Sequence, residues 1–130
     1  MIVRLGLGAI LAVLAFSLLV PRAQAWEDAD VSWALTLAAE RHGVSRWVLR
    51  EVSRCESEWN PYAVGAQGEQ GLFQLHRRGL LPAFYAAGHT DVWSPYQQAD
   101  FTAEMFAAGY APHWSCFWTE IVGRMPPWWT

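Results

Sequence analysis

The feature that most constrains this chain is a pair of cysteines, Cys55 and Cys116, in a sequence that opens like an exported protein. Met1 to Arg4 supplies one positive charge, Leu5 to Val20 is an uninterrupted run of apolar and small residues, and Ala23-Gln24-Ala25 has the small-x-small spacing of a signal-peptidase site. That run of sixteen residues is shorter than the roughly 20 apolar residues a bilayer-spanning helix needs. A signal peptide over residues 1–25, cut after Ala25, is therefore expected in preference to a retained anchor, with no stable membrane insertion afterwards. In an oxidising compartment an even number of cysteines reads as a disulfide. Closing a loop of about sixty residues stabilises a fold by roughly 4 kcal/mol in the chain-entropy model. A metal pair or a reactive thiol is the alternative, but no CxxC or HxxxH spacing accompanies Cys55 and Cys116. No metal and no cofactor is expected.

Removing 25 of the 130 residues leaves 105, enough for one compact domain. Arg4 and Arg22 leave with the signal, so seven arginines face twelve acidic groups and the mature net charge is −5. The chain has no lysine and its arginines form no run, which excludes the electrostatic footprint of a nucleic-acid binder.

Along the mature chain the pattern is mostly helical. Val31, Ala34, Leu35, Ala38 and Ala39 recur at three- and four-residue steps between Asp30 and His42, and Gly43 follows as a C-cap. Ser45 can cap a second helix from Arg46 to about Ser57, with Val48, Val52, Cys55 and Trp59 as its expected apolar stripe. Pro61 biases Asn60 out of helical geometry, so the chain must turn just after Glu56. Gly65, Gly68 and Gly71 predict an irregular loop or a poorly formed hairpin over 61–71. Leu72 to His76 and Leu80 to Ala87 read as short helical pieces. Ser94-Pro95-Tyr96-Gln97 is a capping-box pattern opening a helix that reaches Ala108 before Gly109. Beyond Trp114, Cys116 and Trp118 a tail without periodicity is expected from 119 to 130.

Glu56 ends the second helix beside apolar neighbours. A carboxylic acid placed in a partly dry, apolar setting keeps its proton near neutral pH and can protonate a glycosidic oxygen. Read alone, Glu56 could equally be a solvated helix-end glutamate, since Glu is rarely buried.

The surrounding residues say more. Glu56-Ser57-x-x-Asn60-Pro61-x-Ala63-Val64, then Gly68, then Gly71-Leu72-Phe73-Gln74, resembles the soluble lytic transglycosylase (SLT, goose-type lysozyme-like) family, whose signature is a helix-ending E-S-x-x-N-P-x-A-V followed by G-L-M-Q or G-L-F-Q. The resemblance covers about residues 30 to 118 and is densest over 56–74. It implies a lysozyme-like single domain of the α+β class, mostly helical, over residues 26–118. It also implies cleavage of the β-1,4 bond between N-acetylmuramic acid and N-acetylglucosamine in peptidoglycan. By the same resemblance Glu56 is the general acid and then the general base, and Gln74 lines the glycan cleft. Many members of that family lack a second catalytic carboxylate and use the substrate's own N-acetyl group and 6-hydroxyl, which makes them an exception to the two-carboxylate scheme.

The chain departs from the pattern in three places. Gly65 stands where serine is common, His76 where a methionine often follows the glutamine, and the late A-Y-N-A-G motif is absent. Tyr110, in Phe106-Ala107-Ala108-Gly109-Tyr110, is the candidate to replace its tyrosine; the alternative is a half-buried aromatic. Cys55-Glu56-Ser57 also resembles the resuscitation-promoting factors, which are lysozyme-like as well.

Further substrate-binding candidates are Ser57, Trp59 and His76. Glu69 stands where the family commonly has a small residue; it is either a second carboxylate that orients water for simple hydrolysis or an exposed loop residue. Of the nine tryptophans, Trp59, Trp93 and Trp114 are candidate walls of a sugar cleft, while most buried tryptophan is simply core. Trp128 and Trp129 follow two prolines and read as a frayed end. The expectation is a monomeric enzyme, secreted or periplasmic and associated with the cell wall, with glycan strands as its partner. The alternatives are a simple muramidase and a glycan-binding module that kept the cleft without catalysis.

Overall fold

The computed structural model describes residues 25–125. Residues 1–24 of the expected signal segment, and Pro126 to Thr130 with Trp128 and Trp129, lie outside the described residues. The described chain forms α1 (Asp28–His42), α2 (Arg46–Ser57), α3 (Leu80–Ala86), α4 (Pro95–Ala107) and α5 (Ser115–Glu120), with 3-10 turns at Ala111–His113 and Val122–Arg124. No helix in it is long and apolar enough to cross a membrane.

Helix α1 buries Val31, Ala34, Leu35, Ala38 and Ala39, the stripe expected from spacing. It begins two residues earlier than the apolar pattern does, because Asp30 Oδ2 accepts the Glu27 N–H at 3.0 Å. Acidic Asp28 and Asp30 also complement the positive end of the helix dipole. Gly43 ends it in the left-handed region, φ 66°. The small residues Ala34 and Ala38 of α1 and Ala99 and Ala103 of α4 are all buried in one core, and α1 packs chiefly on α4.

Helix α4 is capped by Ser94, whose Oγ accepts the Gln97 N–H at 3.3 Å. The reciprocal half of the expected capping box is not made. Gln97 Oε1 instead accepts the Thr90 and Asp91 N–H groups at 2.8 and 3.0 Å, closing the loop ahead of the helix.

Helix α2 starts as expected, with Ser45 Oγ accepting the Val48 N–H at 3.3 Å, but its buried face is turned from the expected one. Leu49, Val52, Ser53 and Ser57 are buried, whereas Val48 and Trp59 are half-buried and Cys55 is exposed. The cause lies outside the helix. Leu49 shares the core with Leu72, Phe73 and Leu75, and Ser57 Oγ donates to the Leu72 carbonyl at 2.7 Å.

Segment 71–75 is not the short helix expected over 72–76. Residues 71–74 form a turn and Leu75 bridges back to Gln70. Gly71 and Gln74 adopt φ 81° and 51°, a region no right-handed helix contains. Buried Gln98 of α4 fixes the turn, accepting the Phe73 N–H at 2.8 Å and donating to the Gln70 and Val92 carbonyls at 2.9 and 2.7 Å. A β-carbon at residue 71 would collide with the Gln98 amide. The expected β component is correspondingly small: among the described residues it amounts to two isolated antiparallel bridges, Val64 with Gln70 and Gln70 with Leu75. Side-chain amides satisfy backbone that a sheet would otherwise pair.

Residues 119–125, read in the sequence as the start of a tail, finish α5 and a 3-10 turn. Ile121 is buried in the core and Met125 packs against it.

Candidate active site

Glu56 sits in the last turn of α2. The helix stops because Glu58 and Trp59 both adopt left-handed backbone, φ 53° and 65°, a conformation that costs energy for residues with a β-carbon. Asn60 Oδ1 then accepts the Tyr62 N–H at 2.9 Å, and Pro61 is buried. The chain is thereby turned into the 61–79 loop, which comes back across the end of α2.

A covalent bond joins Cys55 to Cys116, with Cα atoms 5.8 Å apart. It joins the end of α2 to the start of α5 and carries residues 113–116 to the side of Glu56. The Cys116 N–H donates to Glu56 Oε1 at 3.4 Å.

Between the loop and α5 lies a cleft of about 360 Å³. Glu69, Gln74, His76 and Leu80 form one wall; His113, Trp114 and Ser115 form the other, with Glu56 between them. No arginine lines it. Burial pushes the Glu56 carboxyl up from 4.5 to about 7; the Cys116 N–H works the other way, and the negative charge of Glu69 adds to the rise. Near neutral pH Glu56 is therefore poised between a proton donor and a proton acceptor.

The loop wall is built around a missing side chain. A β-carbon at Gly65 would collide with the Glu69 carboxylate and lie 2.6 Å from Gln74 Oε1. Gly65 and Glu69 are thus one spatial exchange: the carboxylate occupies the room a side chain at 65 would take. Glu69 Oε2 is held by the Gln67 N–H at 3.1 Å. Gln74 spends its amide nitrogen on the Ala63 and Gly71 carbonyls at 3.1 and 2.9 Å. Its Oε1 is left as an acceptor, and its positive φ is the geometry that lets one side chain clamp both carbonyls. His76 Nδ1 accepts the Arg78 N–H at 3.2 Å, so in the neutral ring the proton sits on Nε2, a donor.

Three residues expected to touch substrate lie elsewhere. Ser57 is buried, its hydroxyl shared between the Ser53 and Leu72 carbonyls at 3.1 and 2.7 Å, so it fastens α2 to the loop. Trp59 turns to the opposite side of α2, where Nε1 donates to the Arg50 carbonyl at 3.3 Å and the Arg50 guanidinium lies 5.6 Å from its ring centre. The left-handed backbone at 58 and 59 carries it there. Tyr110 is exposed and meets the cleft only through His113, whose ring it contacts edge-on at 5.6 Å. Of the other tryptophans weighed, Trp114 is a wall of the cleft, locked by its Nε1 donating to the Phe73 carbonyl at 3.0 Å, and Trp93 packs against the core.

His113, Ser115 and Leu80 were not anticipated. A signal for the first two existed: once Cys55 and Cys116 bond, residues just before Cys116 must lie near Glu56. Among the described residues no group of three or more His, Cys, Asp or Glu is arranged to hold a metal.

Residues 34–80 match the family model of the transglycosylase SLT domain. The matched stretch holds Glu56, Glu69, Gln74 and His76 and ends before the 113–116 wall. It supports an enzyme of the glycosidase or transglycosylase kind acting on peptidoglycan. No curated protein and no solved structure matches the chain.

Proposed function

We propose that this chain is an exported SLT-type lytic transglycosylase that cuts peptidoglycan between N-acetylmuramic acid and N-acetylglucosamine, with Glu56 as its acid and base. The observation that carries the reading is the setting of Glu56: a partly buried carboxyl lining a cleft without arginine, its pKa raised to about 7.

In this reading Glu56 gives its proton to the bridging oxygen as the bond from muramic acid C1 to that oxygen breaks. The N-acetyl oxygen of the same sugar supports the electron-poor C1. The sugar's 6-hydroxyl then bonds to C1 and returns its proton to Glu56, so the product ends in 1,6-anhydromuramic acid and the enzyme is restored. Gln74 Oε1 and the His76 ring offer an acceptor and a donor for sugar hydroxyls, and Trp114 an apolar edge. Peptidoglycan lies outside the cytoplasmic membrane, which agrees with the export signal read in the sequence.

One observation favours a second reading. The Glu69 carboxylate lines the same cleft as Glu56, in the space freed by Gly65. Were it to activate a water, the product would be a hydrolysed reducing end instead. Incubating purified sacculi with the protein and weighing the released fragments decides between them. Anhydro ends support the transglycosylase; fragments heavier by one water support the hydrolase; binding to sacculi without release would leave only a glycan-binding module.

A further inference from the structure

Trp26, ahead of the first helix, reaches across to the loop that walls the cleft. Its N–H donates to the Tyr62 hydroxyl oxygen at 2.8 Å, and its ring meets the Tyr96 ring edge-on at 5.7 Å. Tyr96 lies in the first turn of α4 and donates through its hydroxyl to Asp30 Oδ1 at 3.2 Å, while Asp30 Oδ2 holds the neighbouring Glu27 N–H at 3.0 Å. Helices α1 and α4 therefore fix Trp26 before it meets Tyr62. Chain ends fray unless they are tied down, and Trp26 directly follows the cut expected after Ala25. In a chain cut there its nitrogen is an ammonium, whose hydrogen bonds are charge-assisted. Among the described residues, every other hydrogen bond made by residues 61–69 stays within 60–75, so the Tyr62 hydroxyl is this loop's one hydrogen-bonded tie to the rest of the fold. The next residue, Ala63, accepts at its carbonyl both the Gly71 N–H at 2.8 Å and Gln74 Nε2 at 3.1 Å. Fixing Tyr62 therefore fixes the carbonyl that aims Gln74, which lines the cleft beside Glu69. Tyr62 fills the unspecified place of the N-P-x-A-V pattern, and Trp26 precedes the matched residues 34–80, so the family likeness gives neither of them a role.

We propose that Trp26 and Tyr62 form a latch in which Tyr62 is a positioning residue: held by the Trp26 nitrogen, it keeps the Ala63 carbonyl, and through it the Gln74 side chain, in place on the wall of the cleft. Tyr62 acts on the protein and touches no substrate. The inference deepens the peptidoglycan reading above and rests on it for the effect on turnover, whereas the effect on Gln74 follows from the hydrogen bonds alone.

The test uses the mature chain beginning at Trp26 and two variants of it. Tyr62→Phe keeps the ring and removes the accepting oxygen; Trp26→Ala keeps the nitrogen and removes the ring that meets Tyr96. In the first arm, without substrate, NMR follows hydrogen exchange of the Gln74 side-chain amide. The Gln98 amide, clamped in the same way on the Gln70 and Val92 carbonyls from α4, is the internal control. Either variant should speed exchange at Gln74 about two- to tenfold, the range for losing one hydrogen bond, and leave Gln98 unchanged. The double variant should be no faster than the single ones, because both changes break the same tie. Unchanged exchange at Gln74, equal acceleration at Gln98, or effects that add in the double variant each overturn the latch. In the second arm, cleavage of soluble glycan strands by Tyr62→Phe should show KM raised about two- to tenfold with kcat within about twofold, the pattern of lost ground-state binding. A lower kcat at unchanged KM overturns the positioning role. If the wild type cleaves no strand the enzymatic reading fails, while exchange at Gln74 still decides the latch.

Discussion

Two hollows flank the disulfide, and they hold similar residues to opposite effect. The cleft on one side, about 360 Å³, holds Glu56 and Glu69. The hollow on the other side, about 720 Å³, is lined by Asp28, Glu51, Glu58 and Glu120 together with Arg54, Arg124 and Trp59. Glu51 and Glu56 belong to the same helix. Glu51, though its side chain is only 11% exposed, has Arg54 at 3.9 Å and Arg124 at 3.8 Å, and Arg124 also pairs with Glu120. Glu56 has a single long hydrogen bond from Cys116 and another carboxylate across the cleft. The larger hollow has more acids, and the least exposed of its ion-paired ones, Glu51, sits between two arginines; the smaller has the acid whose pKa burial raises. In the proposed reading, volume and acid count say less about where the chemistry lies than a partly buried carboxyl with no cation beside it.

The sharpest way to break this contrast is to remove each glutamate in turn. Glu56→Gln should lower the rate of sacculus solubilisation by about 10²- to 10⁴-fold while circular dichroism stays native. Glu51→Gln should leave the rate within about twofold, because its interactions are charge pairs away from the cleft. Comparable losses in the two variants would erase the distinction between the hollows.

The next largest effect belongs to the bond that separates them. Replacing both cysteines, Cys55→Ser with Cys116→Ser, should cost roughly 3–4 kcal/mol. For a domain of this size that corresponds to a melting temperature lower by about 10 °C or more in a calorimetric scan. The remaining activity should fall as well, since the Cys116 N–H would no longer be held against Glu56.

A pH series sharpens the comparison on the cleft side alone. With Glu56 acting as an acid at a pKa of about 7, kcat/KM should fall about tenfold per pH unit above that value. The stability effect has the same direction. The folded carboxyl holds its proton more tightly than the unfolded one at 4.5, so its favourable contribution is full below pH 4.5 and is lost as pH rises through about 7. Glu56→Gln should therefore melt above the wild type at pH 8 and level with it at pH 4. A wild-type rate that stays flat from pH 6 to 9 would remove Glu56 from the acid role.

The smallest effect is expected from Glu69→Gln. Its charge is a lesser cause of the raised Glu56 value than burial is, so the alkaline limb of the rate profile should move to lower pH by less than burial moves it. Loss of hydrolysed ends in the same variant, read by mass spectrometry, would show that Glu69 also handles water.

Much of this was legible in local signals. The α1 stripe, the Ser45 and Ser94 caps, the Gly43 stop and a turn soon after Glu56 all depend on residues within a few positions of one another, where propensity and spacing act directly. The cysteine pair was legible from its even count and the expected export signal. The buried face of α2 was not, because Val48 with Cys55 and Leu49 with Ser53 are both reasonable helical rows. The structure buries the second row, with Ser57 turned inward to the Leu72 carbonyl. Trp59 was misplaced for a related reason: nearness in sequence to Glu56 says nothing once two left-handed residues reverse the chain.

By itself the sequence determined a mostly helical chain, an acid at the end of a helix, and a covalent link from that helix to a segment sixty-one residues on. Only the tertiary structure decided what surrounds the acid. Gln98 shapes the loop from across the core, Gly65 makes room for a carboxylate from residue 69, and the disulfide brings His113, Trp114 and Ser115 to the far wall. Desolvation and charge depend on everything packed within a few ångströms, whichever part of the chain it comes from.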